Sequence, residues 1–147
     1  MEDKVNEIMA DASAAMIAEE LVKKLLDEER KRHEFYNLIT EDDKAEFVNG
    51  EIIFHSFVMK GHTDATGRLY NLLATYVEEK NLGWVGIEEV LTRFSRNDYE
   101  PDLCFFKQEK AAEFREQQLI YPIPDFIVEV LSKSNKKTIE HDAVTKF

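Results

Sequence analysis

Pro124-Asp125-Phe126-Ile127-Val128-Glu129-Val130-Leu131-Ser132 is the most strand-like stretch of the 147-residue chain, and one acid, Glu129, stands in the middle of it. Apolar residues fall on both faces of this run, the pattern of a central strand covered on both sides. Upstream, Glu100-Pro101-Asp102-Leu103-Cys104-Phe105-Phe106 repeats the arrangement in a shorter strand, with Asp102 heading an apolar run. A carboxylate inside a buried strand is costly unless it is paired or coordinated. For one such acid, a salt bridge or a place at a strand edge is the ordinary explanation. Two acids on two strands of one sheet point instead to an oxygen-rich site for a hard cation, Mg²⁺ or Mn²⁺.

Around these strands the pattern reads as a mixed α/β domain. Lys44 to Val48 alternates as a strand after the cap-rich turn Thr40-Glu41-Asp42-Asp43. Asn49-Gly50 then supplies the positive φ angles of a tight hairpin, and Glu51 to Met59 returns. From Thr63 to Lys80, Ala65, Leu69, Leu72, Leu73, Tyr76 and Val77 recur at helical spacing, with Gly83 just beyond as a stop signal. Trp84 to Phe94 is β-rich, with Gly86 permitting a bulge or bend. Gln108 to Gln118 reads as a polar helix, and another helix begins after Lys136 and is still running at Phe147. The expectation is a mixed sheet flanked by helices.

The first 34 residues form a separate unit in this reading, an amphipathic helical extension before a domain over 35–147. Between Val5 and Arg32 there is no Gly or Pro, and Val5, Ile8, Met9, Ala12, Ala15, Met16, Leu21, Val22, Leu25 and Leu26 recur at three- and four-residue steps. One helix, bent near Ala18, accounts for this. Glu19 and Glu20 precede Lys23 and Lys24 by one turn and support it modestly. The apolar stripe must be covered, either by its own domain or by a second copy in a homodimer, and the sequence leaves both open.

Composition narrows the function. Nineteen basic against thirty acidic side chains give a net charge of −11, unfavourable for non-specific grip on phosphates. Residues 1–50 hold seven basic and fourteen acidic residues, net −7; 51–100 hold five and eight, net −3; 101–147 hold seven and eight, net −1. A nucleic-acid contact is thus disfavoured globally but not locally, and Lys133, Lys136 and Lys137 are the local candidates, with a solvated loop as the plain alternative. The single cysteine, Cys104, rules out a disulfide framework and a Cys-rich zinc site. The sequence has no Gly-rich phosphate loop, so no nucleotide cofactor is expected. Neither a membrane span nor a signal peptide is visible, and the expected location is cytoplasmic. His33, His55 and His141 lack metal-ligand spacing, and Ser132 lacks a nucleophile motif.

Pro101-Asp102 followed by Glu129 in Pro-Asp-Phe-Ile-Val-Glu-Val-Leu-Ser resembles the two acidic motifs of the PD-(D/E)XK superfamily of restriction-endonuclease-like nucleases. More narrowly, the chain is similar to the Uma-two family of restriction-endonuclease relatives. The matching positions are Glu46 before Asn49-Gly50, His62 ahead of the first core helix, Pro101-Asp102-Leu103, Glu129 to Ser132, and Asp142 four residues before Lys146. The likeness runs from about residue 35 to the end. It departs from the superfamily in one place: Leu131 stands where a Lys follows the second acid by two residues. The family lacks that Lys as well and recruits one from the next helix, which makes Lys146 the candidate. The family domain also continues further, so the core reads as incomplete at its C-terminal side.

The resemblance implies a restriction-endonuclease-like core and a metal-dependent endonuclease acting on DNA. Asp102 and Glu129 would hold Mg²⁺ or Mn²⁺, Glu46 would bind a water or a second ion or orient the other two acids, and Lys146 would position the nucleophile. Asp142 lies one helical turn before Lys146 and shares its face. His62 would cap its helix or line the cleft. The chemistry stands apart from any name: phosphodiester hydrolysis needs a metal, carboxylates to hold it, and a cation near the transferring oxygens. The alternative is a catalytically inactive module on the same fold that associates through its N-terminal helix, which the −11 charge favours.

Overall fold

The computed structural model of the chain describes residues 1–55 and 57–131. Two helices open it, α1 (Glu2–Met9) and α2 (Ala14–Leu38). Asp11 separates them by accepting hydrogen bonds from the Ser13 amide at 2.7 Å and hydroxyl at 2.5 Å, a local turn that competes with helix. The break therefore falls at residues 10–13, not at Ala18. Helix α2 then runs unbroken to Leu38, through the expected 34/35 boundary, and both Arg32 and Phe35 are buried. The extension and the domain share this helix.

Strands β1 (Ala45–Val48) and β2 (Glu51–Phe54) form the expected hairpin, with Asn49 and Gly50 at φ of 51° and 84°. Helix α3 (Lys60–Glu79) starts a turn earlier than its apolar spacing suggests. It ends as Asn81 turns left-handed, at φ 51°. Strands β3 (Gly83–Ile87) and β4 (Leu91–Arg93) follow, then β5 (Asp98–Tyr99) and β6 (Leu103–Lys107). The expected single strand over 100–106 instead begins at Leu103, because residues 100–102 carry the chain from one sheet to the other. A short α4 (Gln108–Ala111) replaces the expected helix to Gln118. Strands β7 (Ile120–Tyr121) and β8 (Phe126–Val128) complete the described part.

Five strands pair in the order β2-β1-β5-β4-β7 and three in the order β3-β6-β8. Only β4 and β7 run parallel; the other pairs are antiparallel, so the architecture is mixed α/β with helices against its sheets. Strand β8 sits at the edge of its sheet among the described residues, and its Phe126 is exposed, in contrast to the central position its apolar pattern suggests. Gly86 makes no bulge: it pairs in register with Cys104, and an added Cβ would lie 2.8 Å from Val90 and 2.9 Å from the Cys104 sulfur. The chain reverses after it at Glu88 and Glu89, both at positive φ.

Phe35 of α2 packs with Ala45, Phe47 and Leu91 into one apolar cluster, and this places α2 against the larger sheet. A second cluster joins Val90, Cys104 and Phe106 to Phe114 and Tyr121, with Trp84 stacked on Phe106 and Tyr121 at 5.8 and 5.4 Å. Among the described residues no helix is long and apolar enough to cross a membrane.

Candidate functional site

The crossing between the two sheets is where acids collect. Pro101 is fully buried and fixes the segment, leaving Glu100 and Asp102 on either side of it. Asp102 is half-buried at the head of β6. Its Oδ2 accepts the Val130 amide at 2.6 Å and lies 3.0 Å from His62 Nε2. Its own carbonyl accepts the Glu88 amide at 3.1 Å. His62 comes from the first turn of α3, one turn before buried Thr66, whose hydroxyl donates to the His62 carbonyl at 3.0 Å. The same hydroxyl lies 3.5 Å from the ring Nδ1, so the imidazole sits between Thr66 and the Asp102 carboxylate.

Glu129 follows from register. Leu103 pairs with Val128 and Cys104 with Ile127. The same antiparallel register, carried one residue further, sets Asp102 across from Glu129, and the bond from the Val130 amide to Asp102 fits that alignment. Glu129 is half-buried and engaged with its surroundings. Both described hydrogen bonds to the Asp102 side chain fall on Oδ2.

Glu46 belongs to a neighbouring group. It is buried on β1, accepts the Glu100 amide on Oε1 at 3.0 Å, and lies 3.5 Å from His55 Nε2 through Oε2. The hydrogen bond to Glu46 raises the His55 pKa above its ordinary value. Glu100 in turn accepts the Ala45 amide at 3.4 Å on Oε1, while its buried Oε2 has no hydrogen-bond partner among the described residues. Burial pushes the Glu100 carboxyl up to about 7.

The described residues contain no group of three His, Cys, Asp or Glu that could hold a metal ion. Glu46, Asp102 and Glu129 therefore do not form a single three-carboxylate cage there. The physical reason is the sheet crossing: Glu46 on the larger sheet meets Glu100, and Asp102 two residues later meets His62 and β8. The residues brought together are Asp102, His62 and the Val130 amide, with Glu129 next to Val130 in the chain. His55 and Glu100 are additions that sequence reasoning passed over. The available signal for Glu100 was an acid directly before the buried Pro101 of the Glu100-Pro101-Asp102 run. Lys133, Lys136, Lys137, Asp142 and Lys146 lie outside the described residues.

No curated protein matches the chain. A crystal structure described as a putative nuclease belonging to DUF820, from Anabaena variabilis, is similar to it in fold, with a TM-score of 0.65 at 19% identity. The match covers 78% of this chain and 65% of that one, so the chain spans just under two thirds of that protein's length. The pattern of the Uma2 family, described as "putative restriction endonuclease", matches residues 32–145. That stretch holds Glu46, His62, Asp102 and Glu129 and covers well over half of the sequence, and the chain belongs to the Uma2 family.

Proposed function

We propose that this protein is a metal-dependent endonuclease that hydrolyses phosphodiester bonds in DNA, with Asp102 and Glu129 holding one Mg²⁺ or Mn²⁺ ion. The observation that carries the reading is the pairing of Leu103 with Val128, a register that, continued by one residue, would bring Asp102 opposite Glu129, beside His62. A donor set of two carboxylates suits Mg²⁺, which is usually bound through one or two acids, with waters and substrate phosphate completing the shell. When bound, the ion neutralises phosphate charge and lowers the pKa of a water. The chain's own residues fix the geometry: the Val130 amide and His62 hold Asp102 by one oxygen, which sets the direction of the other. Lys146 supplies the positive charge near the nucleophile in this reading, in place of the superfamily lysine that Leu131 replaces. Glu46 orients the Glu100–Asp102 segment through the Glu100 amide.

Plasmid nicking tests this on the full chain. With Mg²⁺ the parent should nick supercoiled DNA, and EDTA should stop it. Asp102→Asn and Lys146→Met should each lower the rate at least ~100-fold, the scale of loss when a charge that stabilises the transition state is removed. Activity that survives EDTA, or an Asp102→Asn chain that nicks at the parent rate, would remove the proposal. A second reading, an inactive module on the nuclease fold, draws on Leu131 at the superfamily Lys position and the net charge of −11. It predicts no metal-dependent nicking at all.

A further inference from the structure

Helix α2 uses a single face for two surroundings. Toward its C-terminal end that face meets the domain: Glu28 pairs with Arg96 at 2.8 Å and lies against the hairpin tip, where its Cγ would sit 3.2 Å from a Cβ at Gly50, and Arg32 and Phe35 are buried. Followed back toward the N-terminus at three- and four-residue steps, the same face presents Leu25, Val22, Leu21, Ala18, Ile17 and Ala14. Here the domain no longer covers it. Leu21, Val22 and Leu25 are 48%, 56% and 42% exposed, and α1 contributes no buried residue. Glu19, Glu20 and Lys23 point away from the stripe, so six consecutive apolar positions are uninterrupted by charge.

We propose that a second copy of this chain covers the stripe, with the two α2 helices antiparallel about a two-fold axis level with the Glu19–Glu20 bond. The stripe reads the same in reverse about that point. Ala14 then meets Leu25, Ile17 meets Val22, and Ala18 meets Leu21, so small residues face large ones in two of the three kinds of layer. A parallel pair would stack Ala on Ala and Leu on Leu, leaving gaps between crowded layers. A two-fold pair needs one self-complementary patch, and this sequence supplies it. A lipid surface is the poorer occupant: helices that lie on anionic membranes carry a basic polar face, whereas the polar face opposite this stripe sets Glu19, Glu20 and Asp27 among Lys23 and Lys24, and residues 1–50 are net −7. The pairing places both copies' domains at opposite ends of the helical pair and does not depend on the nuclease reading.

Light scattering and disulfide trapping on the full chain test it together. The parent should show twice the 17.2 kDa chain mass, and Leu21→Asp should halve that mass with an unchanged circular dichroism spectrum. Ala14→Cys and Leu25→Cys chains, mixed and oxidised, should cross-link to each other, while neither cross-links to itself. In the antiparallel pair two copies of residue 14 stand about 16 Å apart along the axis, beyond the ~7 Å Cα separation a disulfide spans. Cys104 is buried, with its thiol pushed up to about 12, and stays out of the reaction. A monomeric parent, self-linking of either single variant, or co-flotation of the chain with anionic vesicles in place of dimer formation would each overturn the proposal.

Discussion

Replacing Arg32 by Met would keep the length of the side chain and its apolar stem while removing the guanidinium that joins α2 to the sheet. That group is 2% exposed and is matched by Asp98 on β5, which is fully buried. Its Nε donates to Asp98 Oδ2 at 2.8 Å, and its Nη2 pairs with Oδ1 of the same carboxylate. The Phe94, Asn97 and Ser95 carbonyls accept from it at 2.7, 3.1 and 3.2 Å. The Tyr36 hydroxyl adds a bond to Asp98 at 2.8 Å, and burial, with that carboxylate, pushes its pKa up to about 12. Removal of one partner from such a buried pair leaves an uncompensated charge and costs about 3–5 kcal/mol. Against a typical domain stability of about 5–15 kcal/mol, that is a large share. With a urea slope near 2 kcal/mol/M, the midpoint should fall by about 1.5–2.5 M. Replacing Asp98 by Leu in the same chain should recover part of the loss, because no buried charge is then left alone. A midpoint shift under about 0.5 M for Arg32→Met, the size expected of an exposed pair, would refute this account of what anchors α2.

Glu100→Gln should change how stability depends on pH. The folded carboxyl holds its proton up to about 7 from an ordinary 4.5, so the folded state binds a proton the unfolded chain has released. Stability therefore falls as pH rises from about 4.5 to about 7 and is flat above. The gap sets a ceiling near 3 kcal/mol. Partial solvent access brings it to about 1–2 kcal/mol. Glu100→Gln should stabilise by that amount at pH 8 and by nothing at pH 4 in thermal melts; an unchanged pH profile would contradict the burial cause. His55 acts in the same direction, since its raised pKa gives stability that is complete below 6.5 and lost as pH climbs through the folded value. DNA binding should be weak without divalent metal and fall steeply with salt, because few lysines work against a net −11 field. Titrations at two salt concentrations, with and without Mg²⁺, would reveal it, and tight metal-free binding in high salt would contradict it.

What was legible in the sequence was what local chemistry decides. Asn49-Gly50 announced the hairpin because only a positive-φ dipeptide closes so tight a turn. Glu129 and Asp102 stood out because an acid inside an apolar run has few cheap explanations. What escaped was set by distant partners. Arg32 looked like one more charge on an exposed helix, and its burial depends on Asp98, 66 residues away. That helix α2 runs on past residue 35 was hidden for the same reason, since it continues where its apolar period weakens and a buried ion pair takes over. Glu88 and Glu89 turn the chain at φ of 43° and 52° without a glycine, so no turn residue marked the place. Gly86, which did look like a bend, is required instead by the close approach of Val90 and Cys104. Glu46 was grouped with the other two acids, yet the crossing at residues 100–102 leaves its partner Glu100 at the larger sheet and Asp102 at the smaller one. Sequence order alone does not show that crossing.

Calorimetric titration of Mn²⁺ into the full chain and into Glu129→Gln tests the central claim most directly, because it reads the ion itself and needs no substrate. The carboxylate-to-amide change keeps the shape of the side chain and removes its charge. The parent should bind one ion per chain, and Glu129→Gln should bind it at least ~10-fold more weakly, a loss of about 1.4 kcal/mol. Equal Mn²⁺ affinity in the two chains would mean that Asp102 and Glu129 do not share a metal site.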